Sequence, residues 1–213
     1  MKLDSYFQKG YGHDVCQDFS CVQNTNVIGG VDIGYGLSIV SDGCSMSHKY
    51  FKEVDFGARV LAYASRWISL EASFHYHDMI DNFNLYRECI ANKTVDLLNK
   101  SKISFGVSEY FADATLLMAF GYAKDNKNKA KVFAWGDGNI FIKYKDGTKE
   151  IVNINFTSGA PYYLSYFMNE KRRKSYESEY GTFPVYINRY IIENEELEDI
   201  NVETISILDD DYE

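Results

Sequence analysis

The chain reads as an α+β protein built on antiparallel sheets. Three observations predict this class. Short apolar runs with strand character stand before and after the middle of the chain, two amphipathic helical segments lie between them, and beyond Gly106 the apolar period turns from helical to strand-like. Helices grouped together and laid on antiparallel sheets bury both kinds of apolar face with few elements.

Taken in order, Asp18–Val22 (DFSCV) is the first expected strand and Gly36–Val40 (GLSIV) the second, stopping at Ser41-Asp42-Gly43. A buried strand that ends so abruptly delivers Asp42 to a turn. From Val54 to Leu70, the residues Val54, Ala58, Leu61, Ala62, Ser65 and Ile68 recur at threes and fours and predict one helical face. A second helix is expected over Phe83–Asn99, with Asn82 as N-cap and Leu85, Ile90, Val95 and Leu98 as its apolar positions. Next, Ala114–Tyr122, Lys131–Trp135 and Asn139–Tyr144 read as consecutive strands. Asp125-Asn126-Lys127-Asn128, Gly136-Asp137-Gly138 and Lys145-Asp146-Gly147 supply turn chemistry suited to an antiparallel meander. A strand at Glu150–Ile154 follows, then an irregular aromatic stretch over Thr157–Met168. A polar segment holding Lys171-Arg172-Arg173-Lys174 comes next, and Thr182–Ile192 and Thr204–Leu208 look strand-like.

With 213 residues, two prolines and no Gly/Ser-rich linker, the chain is expected to form one domain over residues 1–213. The formal charge of −9 argues against a surface that neutralises nucleic-acid phosphates. The four cysteines form no CxxC pair, and MKLDSYFQKG lacks the apolar core of a secretion signal, so a reduced, cytoplasmic setting is expected. No apolar stretch approaches the ~20 residues that a spanning helix needs, so no membrane partner is expected either.

Three aspartates lie at or beside strand ends: Asp18 (VCQDFS), Asp42 (IVSDGCS) and Asp137 (AWGDGNI). Hard cations such as magnesium and manganese take carboxylate, carbonyl and water oxygens, which is the chemistry these positions offer. Asp-Gly is also ordinary turn chemistry, and spacing alone leaves both readings open.

The order of segments resembles the PPM family, the type 2C metal-dependent serine/threonine protein phosphatases. The likeness rests on Cys16-Gln17-Asp18, Ser41-Asp42-Gly43, the helix pair, Ala114-Thr115 and Gly136-Asp137-Gly138. The run SDGCSMSHKYFKEVDFGARVL is similar to a bacterial branch of that family. The resemblance implies a four-layer α/β/β/α sandwich of two antiparallel sheets flanked by helix pairs. It also implies a phosphoserine or phosphothreonine protein substrate, two Mn2+ or Mg2+ ions and a monomeric chain. Catalysis would rest on Asp42 and Asp18, with the Gly43 carbonyl completing the metal set, Asp137 near a third, weaker metal, and His13 gripping the substrate phosphate. Gln17 stands where many relatives carry glutamate, His13 where many carry arginine, and Cys44 where some carry histidine. A second Ser-Asp-Gly turn and a later Asp-Asn pair, both expected of the family, do not occur, so the resemblance implies a domain incomplete at its C-terminus. Asp209, Asp210 and Asp211 read as a solvated tail. The alternative to an enzyme is a catalytically silent phosphatase-like module that binds or regulates a phosphorylated partner.

Overall fold

The computed structural model describes residues 4–6, 16–25, 35–43, 56–75, 82–124, 127–144, 146–156, 159–181, 185–193 and 196–204. The fold is α+β, with two antiparallel sheets and three helices among the described residues. The chain divides into two compact units: Met1–Ala134 with Tyr163–Asn169, and Trp135–Tyr162 with Glu170–Glu213.

In the first unit, β1 (Phe19–Thr25), β2 (Tyr35–Ser41), β3 (Leu116–Lys124) and β4 (Lys127–Trp135) form a sheet in sequence order. Alternation along the strands sends Phe19, Cys21, Leu37, Ile39, Met118, Phe120 and Phe133 into the core. Two helices pair with each other in this unit, α1 (Phe56–His75) and α2 (Phe83–Phe105). Helix α1 buries Ala58, Leu61, Ala62, Ser65 and Ile68, the face that the period of three and four predicts. Its buried serines are satisfied within the helix, Ser65 Oγ donating to the Leu61 carbonyl at 2.8 Å and Ser69 Oγ to the Ser65 carbonyl at 2.6 Å. Gly57 is required by close approach, because a Cβ there would fall 1.7 Å from the Phe111 carbonyl oxygen.

Helix α2 starts as expected, with the Asn82 side chain accepting from the Leu85 N–H at 3.2 Å. It runs beyond the predicted end and stops at Gly106, whose φ of 64° supports bonds from Gly106 N–H to Ile103 O and from Val107 N–H to Lys102 O. The buried face differs from the expected one. Tyr86, Ile90, Thr94 and Leu98 are buried, whereas Leu85 is 47% exposed and Val95 half-buried. A choice by apolar type favours Leu85, but Tyr86 occupies the inward position. Its ring packs against Phe120 and Phe133, and its hydroxyl donates to the Ser69 carbonyl at 3.2 Å.

The second unit holds β5 (Gly138–Lys143), β6 (Lys149–Phe156), β7 (Val185–Glu193) and β8 (Glu196–Thr204), antiparallel and in sequence order. The polar segment around Lys171 is a helix, α3 (Glu170–Tyr180). It has little apolar periodicity and is held by single anchors. Tyr176 is buried, meets Tyr162 edge-on at 4.9 Å and donates its hydroxyl to the Ala160 carbonyl. The i,i+4 pairs Lys174–Glu170 and Arg173–Glu177 support the helix from its surface. Strand β8 precedes the run expected at Thr204–Leu208, of which residues 205–208 lie outside the described residues. It carries Glu196, Glu198, Asp199 and Glu203, residue types depleted in strands, so pairing with β7 overrides propensity.

Candidate functional site

The site is built by register. Strands β1 and β2 pair Phe19 with Ser41, so the residues just outside that pair, Asp18 and Asp42, leave the sheet at the same end. Strand β3 enters beside them. The Asp42 N–H donates to Thr115 Oγ1 at 3.0 Å, the Thr115 N–H to the Asp42 carbonyl at 2.8 Å, and the Ser41 hydroxyl to the Thr115 carbonyl at 2.7 Å. Two of these bonds hold the Asp42 backbone and the third ties the preceding Ser41 to the same threonine, and Asp42 is exposed.

Gly43 continues the clasp through an isolated bridge to Ala114. A Cβ at Gly43 would lie 2.6 Å from the Gln17 carbonyl oxygen and 3.0 Å from Gln17 Cβ. Only glycine lets the segment before Asp18 approach the Asp42 turn this closely. Gln17 is buried and Asp18 half-buried, and the Cys16 thiol donates to the Asp18 carbonyl at 3.6 Å. The expected residues Gln17, Asp18, Asp42, Gly43, Ala114 and Thr115 thus come together from three separate segments.

Asp137 occupies the turn between β4 and β5, beside Gly136 at φ 96°, and belongs to the second unit. His13, Cys44 and Asp209–Asp211 lie outside the described residues. Two residues that the sequence offers only as motif members, Ser41 and Cys16, have positioning contacts. Ser41 is fully buried, and its role has a faint sequence signal in a hydroxyl at the last position of an otherwise apolar strand. Cys16 carries no such signal.

The donor set suits a hard divalent cation. Asp18 and Asp42 bring carboxylates to a solvent-facing sheet end, and Gly43 adds a backbone carbonyl, all oxygen chemistry of the kind magnesium and manganese select. No group of three or more His, Cys, Asp and Glu side chains converges among the described residues, so carbonyl and water oxygens would supply much of such a shell. A scan against protein-family models, the curated proteins and the solved structures returns no match.

No helix among the described residues is long and apolar enough to cross a membrane. Cys16, Cys21 and Cys89 are free thiols, and burial pushes the Cys21 thiol above its ordinary value.

Proposed function

We propose that this chain is a metal-dependent protein phosphatase that hydrolyses phosphoserine and phosphothreonine monoesters, working as a cytoplasmic monomer. The observation that carries the reading is the shared end of β1 and β2, where Asp18 and Asp42 leave the sheet beside the Thr115 clasp. Asp42, Asp18 and the Gly43 carbonyl would hold Mn2+ or Mg2+. Bound there, the cations supply Lewis acidity, neutralising phosphate charge and lowering the pKa of water. Ser41 and Thr115 hold the Asp42 backbone so that its carboxylate need not reorganise on binding. The Gln17 amide orients a water rather than contributing charge, His13 grips the substrate phosphate, and Asp137 attends a further, weaker cation. The nucleophile is then water, and no phosphoenzyme forms.

Hydrolysis of a phosphoserine peptide should require Mn2+ or Mg2+, and Asp42→Asn should lower it at least ~100-fold, because even loss of outer partners of a metal ligand costs 10 to 100-fold. Phosphate release in EDTA, or undiminished release by Asp42→Asn, would overturn the assignment.

A second reading is favoured by the amide of Gln17 at a position where a third carboxylate would strengthen cation binding. In it, the chain is a catalytically silent module that recognises a phosphorylated partner. Calorimetric titration separates the two: micromolar Mn2+ binding at two sites supports the enzyme, and phosphopeptide binding with no metal uptake supports the module.

A further inference from the structure

Helices α1 and α2 leave a groove of about 540 Å³ on the first unit. Its α1 wall runs from Phe56 to Leu70, about 21 Å at 1.5 Å per residue, and its α2 wall carries Leu97, Ser101 and Phe105 at one side-chain per turn. Phe56 and Phe105 meet edge-on at 5.2 Å and close one end. Large apolar side chains remain open to solvent along it: Trp67 is 69% exposed, Phe105 57% and Tyr63 49%. Apolar area of that kind in a concave, helix-length channel marks a binding surface.

The charge of the channel says what fits it. The protein has a formal charge of −9, yet among the described residues the lining contains Arg59 and Arg66 and no carboxylate. These arginines lie seven residues apart on α1, two helical turns or about 10 Å. Arg66 donates to the Gln23 side-chain oxygen, a neutral acceptor, and makes no ion pair with a carboxylate among the described residues. The Arg59 guanidinium sits over the Phe19 ring at 5.0 Å, which fixes it at the rim.

We propose that this groove docks an acidic amphipathic helix of a protein partner. Apolar side chains at i, i+3 or i+4 and i+7 would fill the channel, and two carboxylates about two turns apart would face Arg59 and Arg66. A membrane surface fits less well, because an interfacial contact lies on a convex apolar face, whereas this one is walled on two sides and closed at one end. The inference is independent of the metal site.

Trp67 supplies the readout. The chain has two tryptophans, and Trp135 is only 6% exposed, so burial of Trp67 dominates any blue shift of the emission. The probe is a tryptophan-free, stapled peptide of about 14 residues, the length of the groove, with leucines on one face and two glutamates seven positions apart. It should shift the emission with micromolar affinity. A version with lysine in place of both glutamates should bind at least ~10-fold more weakly, since charge complementarity sets partner choice. Arg59→Glu, at an exposed position, should narrow that preference, and adding Arg66→Glu should invert it, with far-UV circular dichroism unchanged. Trp67→Phe should bind the peptide by anisotropy of a labelled probe while losing the shift. Equal affinity for both peptides, binding of neither, or a shift produced only by phosphatidylglycerol vesicles would overturn the proposal.

Discussion

Glu150 and Asp42, one carboxylate from each unit, are held in two different ways. Glu150, on β6 of the second unit, is 4% exposed, and the protein occupies both of its oxygens. Tyr144 donates to Oε2 at 2.5 Å, and Arg189 donates to Oε1 from Nε at 2.8 Å and from Nη2 at 2.6 Å. The Tyr144 hydrogen bond, followed by Arg189, keeps the Glu150 carboxyl below its ordinary range despite burial, and the same bond pushes Tyr144 up. Asp42, in the first unit, is held by its backbone N–H and carbonyl, and its carboxylate is carried at an exposed sheet end. A buried carboxylate with both oxygens consumed by protein donors serves the fold. Asp42 is instead presented on an exposed turn with a clasped backbone, where a ligand can reach it.

Exchanging the two roles tests that difference. Asp42→Asn should cost little stability, within about 0.5 kcal/mol as for other surface positions, while abolishing metal-dependent hydrolysis. Glu150→Ala should do the reverse. Removing one partner of a buried pair costs ~3 kcal/mol or more, and Arg189, half-exposed, can recover some of that by rehydration, so a loss of about 2 to 3 kcal/mol in urea unfolding is expected with activity per folded molecule unchanged. If Glu150→Ala weakens Mn2+ binding as much as Asp42→Asn does, the division of labour is wrong.

The presented carboxylate depends on its supports, which sets the next two effects. Gly43→Ala drives a Cβ to 2.6 Å from the Gln17 backbone oxygen. Overpacking of that kind costs about 1 to 3 kcal/mol, and because it pushes the segment bearing Asp18 away from Asp42 it should also lower Mn2+ affinity by ~10-fold or more. Thr115→Val keeps the shape but removes the acceptor of the Asp42 N–H. Thr115 is buried, so the orphaned N–H should cost about 1 to 3 kcal/mol, with a ~10-fold loss in Mn2+ affinity by calorimetry. A variant that loses stability and keeps its metal affinity would show that the clasp serves the sheet alone.

The presented site was far more legible in the sequence than the consumed one. Asp18, Asp42, Gly43 and Thr115 each sit in a short local pattern, a strand end followed by turn chemistry, and β pairing then brings those patterns to one edge. The Glu150 cluster has no local pattern. Arg189 is diagonal to Glu150 across the β6–β7 register, where Glu150 faces Ile191, and nothing in either segment announces the pair. The same contrast runs through the helices. Helix α1 has small residues at strict helical spacing, and the expected Ala58, Leu61, Ala62, Ser65 and Ile68 are buried on it, Val54 lying outside the described residues. Helix α2 buries Tyr86 and Thr94, whose polar atoms disguise inward positions, and α3 is held by Tyr176 and ion pairs that hydrophobic periodicity does not register. Strand β8 is acidic enough that only its pairing partner makes it a strand.

Glu109 stands between the two extremes and gives the smallest effect. It lies in the first unit, in the 3₁₀ turn Glu109–Ala112, where Lys102 donates to Oε2 at 2.8 Å and Asn169 to Oε1 at 2.8 Å. The Lys102 hydrogen bond, then its own backbone N–H, pull the carboxyl from the ordinary 4.5 down to about 2. A folded value below the unfolded one means that the stabilisation is whole above about pH 4.5 and is lost as pH falls towards about 2. Both partners touch solvent, Lys102 at 32% and Glu109 at 16% side-chain exposure, so screening should hold the contribution to about 1 kcal/mol. Glu109→Gln should therefore be less stable than the parent at neutral pH, and the urea midpoints of the two should converge as pH drops through that window. A constant gap across it would mean that Glu109 acts through packing and neutral hydrogen bonds, placing it with neither the consumed nor the presented carboxylates.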